Sequence, residues 1–510
     1  HIYHQQFVRP PFVQWLASAD RKGFMYYALE MRVWASQQIQ QHIHGSQAQA
    51  VASALVLGVT DGLDSDLLNA YAASGAMHVL AVSGLHVGII YGLLLLLLKP
   101  FSKMKGSAWL IAGTSLFCLW GFAFVTGLSP SVLRAVTMFS FVALAKPFSR
   151  RTTLYNTLAA SAFALLLYNP YLILSVGFQL SYGAVIGIVY LQRPIYQLWN
   201  IRSRVGDWVW QITCVSLAAQ IATFSLGLLY FHQFPVYFLV SNLFVIPLST
   251  AVLVLGIVLL SFSFVPPVAW AVGKLMQALV YLLNQTVYIT EQLPYSLIND
   301  IYISTPQCCL LIGMGVGLII TFEARSLRGL YFSFLCGVLF SGLQWNHWIK
   351  QQHETQWVVY AINGHSAMDF ISQGQAHAVI DPVLVQDEEK IRFHMRPNRL
   401  QQGVALVETD TLLSAQSSRG LSVARWENKI ITHVQQPKTN LPIRWYTDYL
   451  VVSHNAVNIR TIRREHIGRI VLDGTNTTNY CNKLIKFAAE RQIPVHVVLQ
   501  QGAFILTLSR

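Results

Sequence analysis

The feature that most constrains this chain is a series of long apolar runs with almost no charged residues. The first covers 79–98, about twenty residues without Asp, Glu, Lys or Arg, which is the length that an α-helix needs to cross a bilayer. Hydrophobic residues make up 54% of the sequence and charged residues only 11%, against about 25% charged in a typical soluble protein. We therefore expect a mainly α polytopic membrane protein with about ten transmembrane helices, near 79–98, 108–125, 130–145, 154–168, 171–192, 208–231, 237–262, 266–289, 307–322 and 329–349.

The first run contains two sets of residues that are not simply lipid-facing. Gly84, Gly88 and Gly92 repeat every fourth residue, so they predict a flat stripe for helix packing. Ser83 and His86 are three positions apart and share another face of the same helix. A polar pair at membrane depth is costly unless it faces a partner or water. The pair therefore either bonds a neighbouring helix or faces a hydrated path.

Neutral polar residues and one arginine recur inside the later runs. Such residues can join helices by hydrogen bonds, or they can line a hydrated path when several helices turn them to one side. Arg134 either extends its guanidinium to the lipid headgroups or contacts a phosphate at the outer mouth of a channel. We predict a channel lining formed by Ser83, His86, Thr126, Ser129, Ser131, Arg134, Gln179, Ser181, Gln220, Thr223 and Asn242.

Five short motifs in this region, taken together, resemble one protein family. The chain is similar to the ComEC family of competence proteins in HVLAVSGLHVGI at 78–89, TGLSPSVLRA at 126–135, NP at 169–170 with GFQLSY at 177–182, SLAAQIAT at 216–223 with FHQFP at 231–235, and SNLFVIP at 241–247. Each motif alone is a weak signal, and the five in this order are a strong one. The resemblance implies a channel in the cytoplasmic membrane that takes up single-stranded DNA during natural transformation.

The implied substrate agrees with the residues in the runs. Sequence-independent passage of a polyanion needs amides, hydroxyls and a few cations, with aromatic rings such as Phe178, Tyr182 and Tyr230 available for base stacking. The sequence has no G-x-x-x-x-G-K-[ST] phosphate loop. The resemblance therefore implies outside partners, namely a cytoplasmic helicase-like motor, proteins that bind the single strand, and an extracytoplasmic DNA receptor.

The loops between the runs predict an orientation in the membrane. Lys and Arg fall in alternate loops, including Lys99, Lys103, Lys146, Arg193 and Arg325, and basic loops are typically cytoplasmic. With ten spans, the N-terminal and C-terminal parts of the chain would both be extracytoplasmic.

The two ends are predicted to differ from the channel region at 47–350. Residues 1–46 would hold the last strand of an upstream OB-like domain and a helix at 24–43 that lies along the membrane surface. Residues 351–510 contain short β-rich runs at 357–362, 376–381, 429–434, 449–453, 469–473 and 495–499. They predict an extracytoplasmic soluble α/β domain with a helix near 481–488.

This C-terminal domain resembles a degenerate metallo-β-lactamase-like domain, which many ComEC relatives carry. The resemblance rests on AINGHSAMDFISQGQAHAVID at 361–381 and DYLVVSHNAVN at 448–458. The H-x-H-x-D-H metal-binding motif of that fold is absent from the sequence. Folding could still gather His365, Asp381, His454 and Asp473, but we expect a non-catalytic domain without a metal or another cofactor.

Two other functions stay open at this stage. The chain could be a membrane-tethered nuclease that degrades the non-transported strand, which would require metal-dependent cleavage by the C-terminal domain. It could instead transport a small or lipid-linked anion, with Arg134 as the anion contact. DNA uptake by cells that carry Arg134 substitutions separates the transporter from the DNA channel.

Overall fold

A computed structural model describes residues 23–103, 106–145, 147–148, 153–409, 421–436 and 445–509. The predicted OB-like strand in residues 1–12 lies outside this part of the chain. The chain forms two compact units, His1–Asn299 and Asp300–Arg510. Each unit is described by itself.

The first unit is helical. Its helices are α1 (Phe24–His42), α2 (Ser46–Leu57), α3 (Ser65–Ala73), α4 (Met77–Leu80), α5 (Gly84–Leu98), α6 (Ser107–Val125), α7 (Pro130–Ala145), α8 (Leu154–Tyr168), α9 (Val176–Tyr196), α10 (Arg204–Phe231), α11 (Phe238–Ser261) and α12 (Pro266–Glu291). The short strands β1 (Phe234–Pro235) and β2 (Leu297–Ile298) pair antiparallel and join the loops that follow α10 and α12.

The second unit begins with two further long helices, α13 (Thr305–Ala324) and α14 (Leu327–His353). These two helices pack closely where glycines face each other: a Cβ atom added to Gly317 would lie 2.9 Å from the carbonyl oxygen of Gly329. The chain leaves α14 directly into the first strand of the C-terminal domain. Asp300, which precedes α13, forms an ion pair with Arg396 of that domain, with 2.8 Å between Oδ1 and Nη2. The compact units therefore divide at 299/300, whereas the predicted domain boundary lies at 350/351.

The ten predicted runs are all helical for most of their length. Within the described residues, seven helices are long and apolar enough to cross a membrane, namely Gly84–Lys103 with its terminal 3₁₀ turn, α6, α10, α11, α12, α13 and α14. The helices α7 and α8 are apolar but have only 16 and 15 residues. The fold class is confirmed as a polytopic helical membrane protein with a C-terminal α/β domain. Seven described helices are therefore long and apolar enough to span a membrane, against the ten transmembrane helices expected.

Two of the predicted runs are not single helices. The first run breaks at residues 81–83 between α4 and α5, because Ser83 caps α5 in a reciprocal pair with His86. The fifth run starts as a 3₁₀ turn, Pro170–Leu174, and α9 begins only at Val176, where Ser175 Oγ accepts the backbone N–H of Phe178 at 3.3 Å. Both breaks follow from side chains that satisfy the unpaired N–H groups of a helix start.

The most enclosed element of the first unit is α2, which hydropathy did not mark as a span. Every residue from Val51 to Leu57 is buried, and α1, α11 and α12 surround the helix. The packing against α11 is close, since a Cβ atom on Gly256 would lie 2.4 Å from a methyl group of Val56. The predicted surface helix corresponds to α1, whose Ile39 is buried in the same core. Its position along the membrane surface stays a prediction.

In the part of the C-terminal domain that the structure describes, two five-stranded sheets lie between layers of helices. The first sheet has the order β12-β3-β4-β5-β6 and the second β11-β10-β9-β8-β7. The strands are β3 (Glu354–Val359), β4 (Ala367–Ser372), β5 (Gln375–Ile380), β6 (Leu406–Thr409), β7 (Leu421–Trp426), β8 (Lys429–Val434), β9 (Thr447–Val452), β10 (Ile467–Leu472), β11 (Val495–Val497) and β12 (Phe504–Ser509). The helices are α15 (Pro382–Val385), α16 (Glu388–His394), α17 (Arg396–Gln401), α18 (Thr478–Glu490) and α19 (Val498–Gln501). The predicted runs fall on β3, β5, β8, β9, β10 and β11, and the predicted helix on α18.

The inner faces of the two sheets pack on each other around Trp357, Phe370, Ile431 and Val451. The outer face of the second sheet is covered by α18 through Leu484. Short helices cover the outer face of the first sheet. This arrangement brings the loops after β9 and β10 next to the loop between β3 and β4, since Gly364 N–H donates to Gly474 O at 2.8 Å.

Candidate functional site

The candidate site in the first unit begins at the start of α5. Ser83 N–H donates to His86 Nδ1 at 3.0 Å, so the neutral imidazole carries its hydrogen on Nε2. His86 is 1% exposed, and its Nε2 has no hydrogen-bond partner among the described residues. The pair is therefore a helix cap that leaves one buried N–H donor unpaired. A buried donor of this kind usually has a water or a ligand as its partner.

The glycine stripe of α5 faces α7 over part of its length. A Cβ atom on Gly84 would lie 3.8 Å from Ala135, and one on Gly88 would lie 3.1 Å from the ring of Phe139. A Cβ atom on Gly92 would meet no described atom within 4 Å. Two of the three predicted packing glycines thus bring the start of α5 against α7, next to Arg134.

Arg134 is the second buried donor. It is 7% exposed, its Nη2 donates to Ser131 Oγ at 3.0 Å, and its Nε has no partner among the described residues. No carboxylate of a described residue lies within ion-pair distance of it. The guanidinium lies beside the first turn of α9, 3.6 Å from where a Cβ atom of Gly177 would be. The side chain is enclosed by protein, so it does not extend to lipid headgroups as the alternative interpretation required.

Polar contacts continue from α9 to α10 and α8. Gln179 accepts a 2.8 Å hydrogen bond from Tyr230 of α10 and donates to Ile173 O at 3.0 Å. Tyr182 bonds Ser161 of α8 at 3.0 Å, and its ring lies 4.4 Å from that of Phe178. The structure thus joins polar positions from α5, α7, α8, α9 and α10 through consecutive helix contacts.

The other predicted lining residues are placed less specifically. The hydroxyls of Thr126 and Thr223 donate to carbonyl groups of their own helices, at 3.0 and 2.8 Å, so they need no partner across the bundle. Asn242 is buried on α11, and its Oδ1 has no partner among the described residues. The remaining three are half-buried, on α9, α10 and the turn before α7: Ser129, Ser181 and Gln220.

Two buried polar contacts were not predicted from the sequence. Tyr71 of α3 donates to Asn284 Oδ1 of α12 at 3.1 Å, and Ser241 Oγ donates to the carbonyl oxygen of Ser74. Asn284 begins a short polar stretch, residues 284–286, inside a mostly apolar run, which is the signal that could have identified it. These contacts hold the short helix α3 and the residue that follows it to α11 and α12.

The C-terminal domain has a buried hydrogen-bonded network where its two sheets meet. His433 Nε2 donates to Ser453 Oγ at 2.7 Å, and that hydroxyl donates to Asp473. The hydroxyl of Ser366 lies 3.4 Å from that of Ser453. Burial lowers the pKa of His433 to about 3 and raises the pKa of Asp473. These groups satisfy one another and are closed to solvent, so they hold the domain together.

Three of the four residues that could have formed a metal site have separate side-chain partners. His365 Nε2 lies 3.1 Å from Lys390 Nζ, Asp381 accepts the N–H of Ser366 at 2.7 Å, and Asp473 belongs to the buried network. His454 is exposed on its loop. Among the described residues, no group of three or more His, Cys, Asp or Glu side chains is placed to hold a metal ion.

Comparison with known proteins gives two family matches. Residues 55–328 match the family described as "Competence protein", and residues 357–508 match the "ComEC C-terminal domain". No solved structure matches the chain.

Three known proteins have sequences that are similar to parts of this chain. ComE operon protein 3 of Bacillus subtilis (strain 168) is 32% identical over 219 residues, 42% of this chain and 27% of that protein. Recombination protein 2 of Haemophilus influenzae is 28% identical over 161 residues, 30% of this chain and 20% of that protein. The uncharacterized protein YcaI of Escherichia coli (strain K12) is 24% identical over 215 residues, 40% of this chain and 28% of that protein. The matched part thus spans about a quarter of each relative. Because the match to the competence protein family covers more than half of this chain, the chain belongs to the ComEC family of competence proteins.

Proposed function

We propose that this chain is the membrane part of a channel through which single-stranded DNA crosses the cytoplasmic membrane during natural transformation. The observation that carries the proposal is Arg134, a cation that is buried in the helix bundle without a described carboxylate partner. A buried charge is costly unless it is paired. A passing phosphate would supply the missing partner, and Nε would donate the hydrogen bond that it lacks.

The charge distribution around Arg134 supports a polyanion as substrate. Between Asp66 and Glu291 the sequence contains a single acidic residue, Asp207, which lies in the first turn of α10. The helices α5 to α9 are therefore free of carboxylates that would repel phosphates. The unpaired N–H donors of His86 and Arg134 are of the kind that bind phosphate oxygens.

The orientation, the partners and the energy source belong to the same proposal. Alternating basic loops support extracytoplasmic N-terminal and C-terminal parts. Moving one phosphate inward against a negative-inside potential costs about 2.3 kcal/mol per 100 mV. A cytoplasmic helicase-like motor with strand-binding proteins would supply this work, and an extracytoplasmic receptor would deliver the DNA.

We further propose that the C-terminal domain does not act as a nuclease. Asp473 already accepts hydrogen bonds from Ser453, Thr475 and Asn476, which leaves it poorly available as a metal ligand. Incubation of the full-length protein with labelled duplex DNA and Mn²⁺ or Zn²⁺ should leave the DNA intact. Metal-dependent cleavage that is lost in Asp473→Asn would favour the nuclease alternative.

The channel proposal is tested by uptake of labelled DNA into cells that carry the full-length protein. Arg134→Gln keeps an uncharged amide donor near the position of Nε, but it shortens the side chain, removes the charge and loses the Nη2 contact with Ser131. We expect it to lower uptake about tenfold or more, the effect of losing one charged contact of ~1.5–3 kcal/mol. Arg134→Lys, which keeps the charge, should retain part of the uptake.

The matched control is Lys274→Ala, which removes an exposed cation from α12 and should leave uptake unchanged. Protein abundance in the membrane is measured for each variant, so that loss of folding is distinguished from loss of transport. Uptake at the wild-type level in Arg134→Gln, with normal abundance, would show that Arg134 does not contact DNA. The alternative of a small-anion transporter would then be favoured.

A further inference from the structure

The C-terminal domain carries six exposed cationic side chains on two neighbouring segments. One segment is the irregular stretch between β9 and β10, and the other is α18 with the turn that follows it. We define this basic patch as Arg460, Arg463, Arg464, Lys483, Lys486 and Arg491, all of which are exposed.

The two segments form one surface. Arg464 Nη1 donates to Gln492 Oε1 at 2.9 Å, which holds the irregular stretch against the turn after α18. Tyr480 of α18 donates to Val457 O at 2.7 Å. Ile462 and Leu484 share one hydrophobic core beneath both segments. The cations are therefore displayed side by side on a rigid base.

The basic patch lacks the ion pairs that neutralise other cations of the same domain. Arg399 pairs with Asp369 at 2.7 Å, and Lys429 pairs with Asp448 at 3.0 Å. No carboxylate of a described residue lies within 4 Å of any cation in the patch. The same two segments expose two carboxylates, Glu465 and Glu490, so the six cations leave the surface with a net positive charge that attracts a polyanion from solution.

The surface chemistry favours DNA over a lipid surface. A domain that binds a membrane peripherally usually inserts large apolar side chains beside its basic residues. The two patch segments, 453–466 and 478–492, expose no large apolar side chain, and the nearest exposed ones along the chain are Trp445, Tyr446 and Leu499. Asn482, Thr478 and Gln492 are exposed among the cations, and such side chains donate hydrogen bonds to phosphates.

We propose that the basic patch docks the phosphate backbone of DNA, without sequence preference, on the C-terminal domain. The identification of the polyanion as DNA rests on the proposed uptake function. Lys483 and Arg491 are eight positions apart on and just after α18, about 12 Å along the helix axis. This length matches several consecutive phosphates of either duplex or single-stranded DNA.

The test uses the full-length protein in nanodiscs of zwitterionic lipid and a fluorescent 30-nucleotide probe, both single-stranded and duplex. The patch variant is Lys483→Gln with Lys486→Gln. The matched control is Arg425→Gln with Arg469→Gln, which removes two exposed cations outside the patch. Affinity is measured by fluorescence anisotropy over a series of salt concentrations.

The patch variant should bind at least one probe about tenfold more weakly than the wild type at 0.1 M salt, as expected when two phosphate contacts are lost. Its plot of log K against log salt should be shallower by about 2. The control variant should bind as the wild type does. Equal affinities and slopes for the patch variant and the wild type would overturn the proposal.

A second measurement does not depend on the variants. DNA should protect Lys483 and Lys486 of the wild-type protein from acetylation, as detected by mass spectrometry. If anionic nanodiscs protect these lysines and DNA does not, the patch is a membrane contact and the proposal is wrong.

The result is separable from the channel proposal. An Arg134→Gln protein should still bind DNA at the patch while its uptake fails. Absence of binding at the patch, with uptake still dependent on Arg134, would refute only the docking surface.

Discussion

The buried network of the C-terminal domain makes its folding sensitive to acid through one side chain. His433 is fully enclosed and neutral, with Nε2 donating to Ser453 and Nδ1 accepting from Gln435 at 3.3 Å. Burial lowers its pKa from 6.5 to about 3. The folded state binds this proton more weakly than the unfolded chain does. The neutral histidine therefore contributes fully to the free energy of unfolding above about pH 6.5. The effect is lost progressively as the pH falls from 6.5 toward 3.

The size of the effect follows from the same two pKa values. One pKa unit corresponds to about 1.4 kcal/mol. Between pH 7 and pH 5, proton uptake by the unfolded chain at this histidine lowers the free energy of unfolding by about 2 kcal/mol. The raised pKa of Asp473 acts in the opposite direction, because the folded state holds that proton more tightly. The difference between wild type and His433→Gln therefore isolates the contribution of the histidine.

Hydrogen exchange of the backbone amides in β8, β9 and β10 of the full-length protein reports the opening free energy of this domain. Over the range from pH 7 to pH 5, the wild type should lose about 2 kcal/mol more than His433→Gln. His394→Gln, which changes an exposed histidine of α16, should keep the acid sensitivity of the wild type. Equal losses in wild type and His433→Gln would refute the idea that burial keeps this ring neutral.

Two further predictions concern packing and a buried ion pair. Gly256→Ala should destabilise the first unit by about 1–3 kcal/mol through overpacking. Adding Val56→Ala should largely restore the stability, because the three atoms nearest to the new Cβ all belong to Val56. Thermal stability in detergent measures both variants, and a failure of rescue would mean that the clash lies elsewhere. Arg399→Met should destabilise the C-terminal domain by about 3–5 kcal/mol, because it leaves the fully buried Asp369 without its bidentate partner. Adding Asp369→Asn should recover much of that loss, as denaturant unfolding would show, and an equal or larger loss in the double variant would contradict this account.

The helical framework could be predicted from hydropathy because length and the absence of charge determine which segments can cross lipid. The run at 237–262 illustrates this, since α11 spans Phe238–Ser261. Hydropathy does not register backbone breaks, which is why the interruption before Gly84 was missed. The serine and histidine that cap α5 count there only as mildly polar residues.

The enclosure of α2 could not be predicted for a related reason. Its twelve residues are too few to span a bilayer, and single-sequence reasoning has no measure of which short helix other helices will surround. The polar candidates were found more readily, because Arg134 and His86 stand out against apolar neighbours. Whether such a residue bonds a partner or stays unpaired depends on contacts between distant segments. Gln179 with Tyr230 and Arg134 with Gly177 are examples.

The enclosed position of α2 has a consequence for how the protein is made. Its closest partner residue, Gly256, is synthesised 200 positions after Val56. At elongation rates of roughly 5–20 residues per second, that delay lasts about 10–40 s. During this interval a short apolar helix must wait without the two later helices that will surround it. Insertion factors or the translocon would have to shelter it, and mutations that slow the arrival of α11 should expose α2 to membrane proteases before they impair the finished protein.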